Sequence, residues 1–112
     1  MKIKLKHTPD AILAIDKLLL RICPMNTVGN TKEERVLLSI KYELAEIFEK
    51  RAKKITRSTD LFNLKKKISI SLKYHQAWAL EKIIRDLINL EDNTYRKTLL
   101  QQVADEINQK LS

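Results

Sequence analysis

Two short stretches alternate apolar and polar residues in a chain that otherwise reads as helix, and they constrain the fold most. Residues 67–74 read KISISLKY, with Ile68, Ile70, Leu72 and Tyr74 interleaved with Lys67, Ser69, Ser71 and Lys73. Successive side chains of a strand point to opposite faces, so this pattern specifies a strand with one apolar face and one basic, wet face. The N-terminus carries a shorter copy, Lys2-Ile3-Lys4-Leu5-Lys6. Each copy precedes two segments with helical spacing. The chain therefore reads as a duplicated β-α-α unit.

After the first strand, Thr8-Pro9-Asp10 has the form of a helix start. Thr8 is placed to cap, Pro9 suits the first helical position and Asp10 complements the positive end of the dipole. The helix should run from about 9 to 22 and stop before Pro24. Ile12, Ile15, Leu19 and Ile22 form its main face, with Ala11 and Leu18 beside them; Leu13 and Leu20 lie off that stripe. A loop with the only glycine, Gly29, follows. Asn30 with Glu33, or Thr31 with Glu34, has the spacing of a capping box. The second helix should span about 32–54, with Val36, Leu37, Ile40, Leu44, Ile47 and Phe48 inward, and i,i+4 pairs Glu46–Lys50 and Glu49–Lys53 outward. Residues 55–66 connect the halves; Leu61, Phe62 and Leu64 give that connection something to bury. The third helix should span about 75–90, with Ala77, Leu80, Ile84 and Leu87 on its main face. Asp92 or Asn93 should cap the fourth, about 94–111, with Leu99, Leu100, Val103, Ile107 and Leu111 inward.

The halves match by more than element order. Ala14-Ile15-Asp16-Lys17-Leu18-Leu19 resembles Ala79-Leu80-Glu81-Lys82-Ile83-Ile84, and Val36, Leu37, Ile40, Leu44 and Phe48 share their spacing with Leu99, Leu100, Val103, Ile107 and Leu111. The expected organisation is one domain over 1–112, with repeats at about 2–54 and 67–112. Two such halves pack about a two-fold axis, which pairs equivalent strands antiparallel. The expected fold is α+β and predominantly helical: a two-stranded antiparallel ribbon packed on four helices, which must supply the stability a lone ribbon lacks. The alternative is an all-α four-helix bundle with residues 2–6 as an extended arm. A dimer pairing the exposed ribbon edges satisfies the same pattern.

The 112 residues suffice for one core without disulfides. The single cysteine, Cys23, makes no internal disulfide and reads as a small buried hydrophobe. The N-terminal residues have no apolar h-region and no stretch reaches the length of a membrane span, so a cytoplasmic protein without a membrane partner is expected. The Lys-, Ile-, Leu- and Asn-rich composition is of a bacterial kind.

The net charge of +8 is unevenly placed. Between positions 50 and 67, Lys50, Arg51, Lys53, Lys54, Arg57, Lys65, Lys66 and Lys67 face the single acid Asp60. On the expected fold the open ribbon face carries Lys2, Lys4, Lys6, Lys67, Ser69, Ser71 and Lys73, flanked by Lys53, Lys54, Arg57, Lys65 and Lys66. Such a stripe fits a phosphate backbone of DNA or RNA, with serines donating to phosphate oxygens. A merely solvated strand face is also polar, and lysine protects strand edges from aggregation. No aromatic residues interleave with the lysines apart from inward-facing Tyr74, so no base-stacking platform is indicated. The first expectation is a non-enzymatic, nucleic-acid-associated binding protein. The second is a protein-interaction or assembly module, or a homodimer, using Leu13, Leu20 and Trp78, since Trp is favoured at interface centres. In the bland reading Leu13 and Trp78, which align between the halves, pack against the ribbon or across the two-fold axis.

His7 and His75 each follow a strand without a metal-ligand spacing. The acidic group Glu43, Glu46 and Glu49 reads as a solvated helix face. One glycine cannot build a phosphate loop. No catalytic residue and no cofactor is indicated.

Overall fold

A computed structural model describes residues 2–22, 31–57 and 67–112. Cys23, Gly29, Asn30, Leu61, Phe62, Leu64, Lys65 and Lys66 lie outside the described residues. The elements are β1 (Lys2–His7), α1 (Pro9–Ile22), α2 (Lys32–Arg57), β2 (Ile68–Lys73), α3 (Tyr74–Leu87) and α4 (Thr94–Leu111), with a 3-10 turn (Ile88–Leu90) between the last two. The strands form one antiparallel ribbon. The four helices cover one of its faces, so the all-α alternative with an extended N-terminal arm is set aside.

The alternation explains the ribbon. Ile3, Leu5, Ile70 and Leu72 are buried, while Lys2, Lys4, Lys6, Ser71 and Lys73 are exposed. Ile3 pairs with Leu72 and Leu5 with Ile70 in the register, so the two apolar faces coincide and one core serves both strands. Beneath them the helices bury corresponding positions. In α1 these are Ala11, Ile12, Ala14, Ile15, Leu18 and Leu19; in α3 they are Gln76, Ala77, Ala79, Leu80, Ile83 and Ile84. One offset, 65 residues, carries Ala11 to Gln76 and Leu19 to Ile84, and it also carries Leu5 to its strand partner Ile70. α2 contributes Ile40, Leu44 and Phe48 to the core, and α4 contributes Leu100, Val103, Ala104 and Ile107.

Local chemistry sets the ends. The Thr31 hydroxyl accepts from the Glu34 amide at 3.1 Å and opens α2, and Asn93 Oδ1 accepts from the Arg96 amide at 3.0 Å and opens α4. Thr8 departs from expectation: its carbonyl accepts from Ala11 and Ile12, but its buried hydroxyl has no partner among the described residues and does not cap. Tyr74 is the first residue of α3 and is exposed, not the last inward residue of the strand. The reason lies in the residue after next, where Gln76 Oε1 accepts the Lys73 amide at 3.0 Å and turns the chain into the helix. Val36 is exposed at 59%, because the first turns of α2 extend past the core that receives Leu37 and Ile40. α2 also continues to Arg57, beyond the expected end at 54.

One buried charge fixes the α3–α4 connection against α1. Glu91 is 2% exposed. Its Oε1 accepts from the Asn93 amide at 3.2 Å and from Arg96 Nε at 3.1 Å, and Arg21 of α1 donates to the Leu90 carbonyl at 3.2 Å. Burial pushes the Glu91 carboxyl up, but the Asn93 and Arg96 hydrogen bonds and the charges of Arg96 and Arg21 more than offset it and hold the group below the ordinary carboxylate range. A depressed carboxylate stabilises the fold above its unfolded value and loses that contribution as pH falls through its folded one. Arg96 itself is one-third exposed, so water screens part of the loss when it is removed. Arg96→Ala is expected to cost about 1–3 kcal/mol in urea denaturation near pH 7. That cost should shrink as acid protonates Glu91.

Candidate nucleic-acid interface

The register gathers the ribbon lysines. Lys2 lies opposite Lys73, Lys4 opposite Ser71 and Lys6 opposite Ser69, so these six side chains share the face turned away from the helices. Along one strand, alternate residues are about 6.8 Å apart, and the two strands lie about 4.8 Å apart. The result is a narrow plate of four ammonium groups and two hydroxyls. Lys67 adds a further exposed cation just before β2.

The charges on this plate are unbalanced. Among the described residues, Lys2, Lys4, Lys6, Lys67 and Lys73 have no carboxylate within ion-pair distance; of the helix lysines, Lys50 meets Glu46 at 3.3 Å, Lys53 meets Glu49 at 3.0 Å and Lys110 meets Glu106 at 3.0 Å, while Lys41, Lys54, Lys82 and Lys97 are also without one. Lys2 and Lys73 are moreover like charges set directly opposite, an arrangement that destabilises a ribbon.

The two ribbon edges differ. Lys110 of α4 donates to the Lys4 carbonyl, so the backbone groups of Lys4 point away from β2. In an antiparallel ladder that direction alternates, and Lys2 and Lys6 share it. The last turns of α4 thus run beside β1, with Glu106 against His7 and the Leu111 carbonyl accepting from the Tyr74 hydroxyl at 3.3 Å. On the other side Glu43 of α2 meets Gln76 Nε2 at 3.3 Å and His75 Nε2 at 3.6 Å. Each histidine therefore has a glutamate from a flanking helix. Glu43 has these partners and not lysine, unlike Glu46 and Glu49.

His7 Nε2 lies 2.5 Å from Glu106 Oε2 with the side chain mostly buried. Burial lowers the affinity of the imidazole for a proton; Glu106 opposes this, Lys67 and Lys110 reinforce it, and the net direction is down from the ordinary 6.5. A histidine that protonates less readily when folded contributes stability that is complete above the unfolded value and is lost as pH falls below it. The urea midpoint should therefore drop between about pH 7.5 and about pH 5.5, and His7→Gln should flatten that drop. An unchanged slope in the variant removes His7 as its source.

The predicted site residues divide into three groups. Lys2, Lys4, Lys6 and Lys73, with Lys67 at the end, form the ribbon plate. Lys53 and Lys54 lie on α2, as does Arg57, expected in the connection; with Lys50 they line one open groove. Leu13, Leu20 and Trp78 are exposed at 37%, 51% and 48%. The expectation that Leu13 and Trp78 pack against the ribbon or across the axis is thus corrected: both sit on the side of their helix turned from the core, between buried Ile12 and Ala14 and between Ala77 and Ala79. Leu13 shares a shallow groove with Asp10, Lys17, Tyr95 and Arg96. A cavity under the ribbon, lined by Leu5, His7, Ile12, Ile15, Phe48, Ile68 and Ile70, measures about 10 Å³ and holds at most one water. Among the described residues no three His, Cys, Asp or Glu side chains gather to hold a metal ion, and no helix is long and apolar enough to cross a membrane.

The sequence carries no signal for Glu106 beside His7 or for Arg21 at the Leu90 carbonyl, since both contacts depend on how distant elements pack. Comparison with protein-family profiles, with curated proteins and with solved structures gives no match.

Proposed function

We propose that this protein is a non-enzymatic, DNA-associated binding protein that lays its lysine-serine ribbon face into the major groove of duplex DNA. The observation that carries the reading is the plate itself: the register sets Lys2, Lys4, Lys6 and Lys73 on one face with Ser69 and Ser71, without carboxylate partners among the described residues. The B-form major groove is about 12 Å wide and admits a two-stranded ribbon. The deep, narrow major groove of A-form RNA does not. Lysine reaches guanine O6 and N7, and serine bonds to several base edges. Modest base preference and strong salt dependence follow.

An internal duplication belongs to the same reading. It is supported by the common 65-residue offset of the buried positions in α1 and α3 and by the pairing of Leu5 with Ile70. A doubled β-α-α unit supplies both strands of the ribbon from one chain, so a groove-sized element needs no second copy.

The test is fluorescence anisotropy with a labelled duplex of about 20 base pairs, the matching single strand and a duplex RNA, each across a salt series. Micromolar binding to the DNA duplex that weakens steeply with salt, and exceeds binding to the other two, is the expected result. Absence of binding at low salt overturns the reading.

A second reading, a protein-interaction module, is favoured by the exposure of Leu20 and Trp78 at 51% and 48%. Leu13, Leu20 and Trp78 are its contact residues. Sedimentation of the full chain as a monomer at all concentrations, with no loss on Trp78→Ala of any partner binding, removes it.

A further inference from the structure

We infer that the last turns of α2 form a second phosphate-contacting surface, which grips the DNA backbone bordering the groove at the His7–Ile68 end of the ribbon. The inference rests on the ribbon reading above and adds to it a separate anchor with a separate role.

The position comes from Phe48. It lines the cavity under the ribbon together with His7 and Ile68, which pair with one another at that end. α2 does not stop there but continues to Arg57, about 14 Å further at 1.5 Å per residue. This stretch keeps Ala52 buried and Ile55 packed against the core, and its outer face carries Lys50, Lys53, Lys54 and Arg57 at the i, i+3, i+4, i+7 spacing of one helical face; the four line a single open groove. Lys67, which precedes β2, lies at the same ribbon end. In the proposed seating, the cations of this helix end are the ones placed to meet the sugar-phosphate backbone beside that end of the ribbon.

Helix-dipole stabilisation accounts for only part of this array. Cations favour a helix C-terminus, but the effect fades within the last turn, and Lys50 lies two turns before the end. Lys50 and Lys53 are held by Glu46 and Glu49 in exposed i,i+4 pairs; such pairs are weak and give way readily to a phosphate. Lys54 and Arg57 have no carboxylate partner among the described residues. Arg57 offers the planar fork that binds phosphate oxygens two at a time. Among the described residues the groove is lined by Lys50, Lys53, Lys54 and Arg57 alone. Lysine-rich surfaces without an aromatic anchor are poor centres for a protein interface, where lysine is depleted. The phosphate backbone is the occupant that this chemistry fits.

The consequence is orientation. Phosphate contacts fix register and direction but do not read bases. The ribbon backbone is close to two-fold symmetric, with Leu5 facing Ile70 near its centre. An anchor attached at the His7–Ile68 end distinguishes the two ends and sets which way the ribbon lies on an asymmetric site.

The experiment compares Lys54→Gln/Arg57→Gln with Lys4→Gln/Lys6→Gln and the unaltered protein. It uses one duplex of about 20 base pairs, a salt series by anisotropy and hydroxyl-radical footprinting of both strands. The α2 variant is expected to lower the salt slope by about 1.8, at about 0.9 for each phosphate no longer neutralised. It should weaken binding equally on duplexes of different base sequence and shorten the protected backbone on one side only. Its melting curve should match that of the unaltered protein, because both side chains are exposed. An unchanged slope and footprint in the α2 variant, beside a clear loss in the ribbon variant, overturns the anchor and leaves the ribbon reading standing. No salt-dependent binding by the unaltered protein overturns both.

Discussion

Changing Lys2, Lys4, Lys6 and Lys73 together to glutamine is expected to flatten the salt dependence of duplex DNA binding by about 3.6 in log–log slope, at about 0.9 for each phosphate that the four lysines neutralise. Between about 50 and about 200 mM salt, that difference amounts to roughly a 100-fold change in affinity which the unaltered protein shows and the variant does not. At low salt the variant should bind far more weakly. The fold itself should not suffer. The four side chains lie on the face turned from the helices, and the change relieves the opposition of Lys2 to Lys73, so stability should stay level or rise by up to about 1 kcal/mol. Lost binding with retained stability separates a functional plate from a face that is polar only because it is wet. Anisotropy and urea denaturation on one preparation read both quantities.

Leu72→Ala is expected to destabilise the protein by about 2–5 kcal/mol, a large share of the ~5–15 kcal/mol that holds a typical domain together. Leu72 has no exposure, pairs with Ile3 across the ribbon and sits where strand and helix layers meet. Truncation removes its burial energy and leaves a cavity that a rigid two-layer packing closes only in part. The neighbour one position back supplies the control. Ser71 is exposed, and Ser71→Ala should fall within about 0.5 kcal/mol of the unaltered protein. Urea midpoints at constant slope measure both. Similar effects from the two substitutions would mean that the strand does not present alternate faces to core and water.

Much of the fold is legible in the sequence because its rules are local. Period-two alternation in residues 2–6 and 67–74 marks both strands, and their shared polarity assigns the faces. Helix starts at Thr31 and Asn93 follow from side chains that accept amide protons three residues on, α1 begins and α4 begins and ends where spacing places them, and Pro24 lies outside the described residues. Errors arise where a distant or competing interaction decides. Tyr74 continues the alternation, yet Gln76 captures the Lys73 amide and starts the helix one residue earlier than the pattern predicts. Val36 keeps helical spacing, but the core does not extend to it. By spacing the second helix ends at about 54 and Arg57 falls in the connection; the helix continues, and Arg57 belongs to it with Lys53 and Lys54. Alignment between the halves suggests an inward place for Leu13 and Trp78, but alignment preserves outward positions as well as inward ones. The pairing of His7 with Glu106 and the bond from Arg21 to the Leu90 carbonyl need α4 packed against β1 and α1 packed against the α3–α4 connection, which no local pattern encodes.

The central claim, that the ribbon face is where DNA sits, is tested most directly by NMR. An isotope-labelled sample is titrated with a duplex of about 20 base pairs at low salt, and backbone amide and tryptophan indole shifts are followed. The account predicts shifts concentrated in residues 2–6 and 69–73, extending to residues 50–57, with Leu13, Leu20 and the Trp78 indole unmoved. Shifts centred on Leu13, Leu20 and Trp78 with a silent ribbon would contradict it, and so would a spectrum that the duplex leaves unchanged.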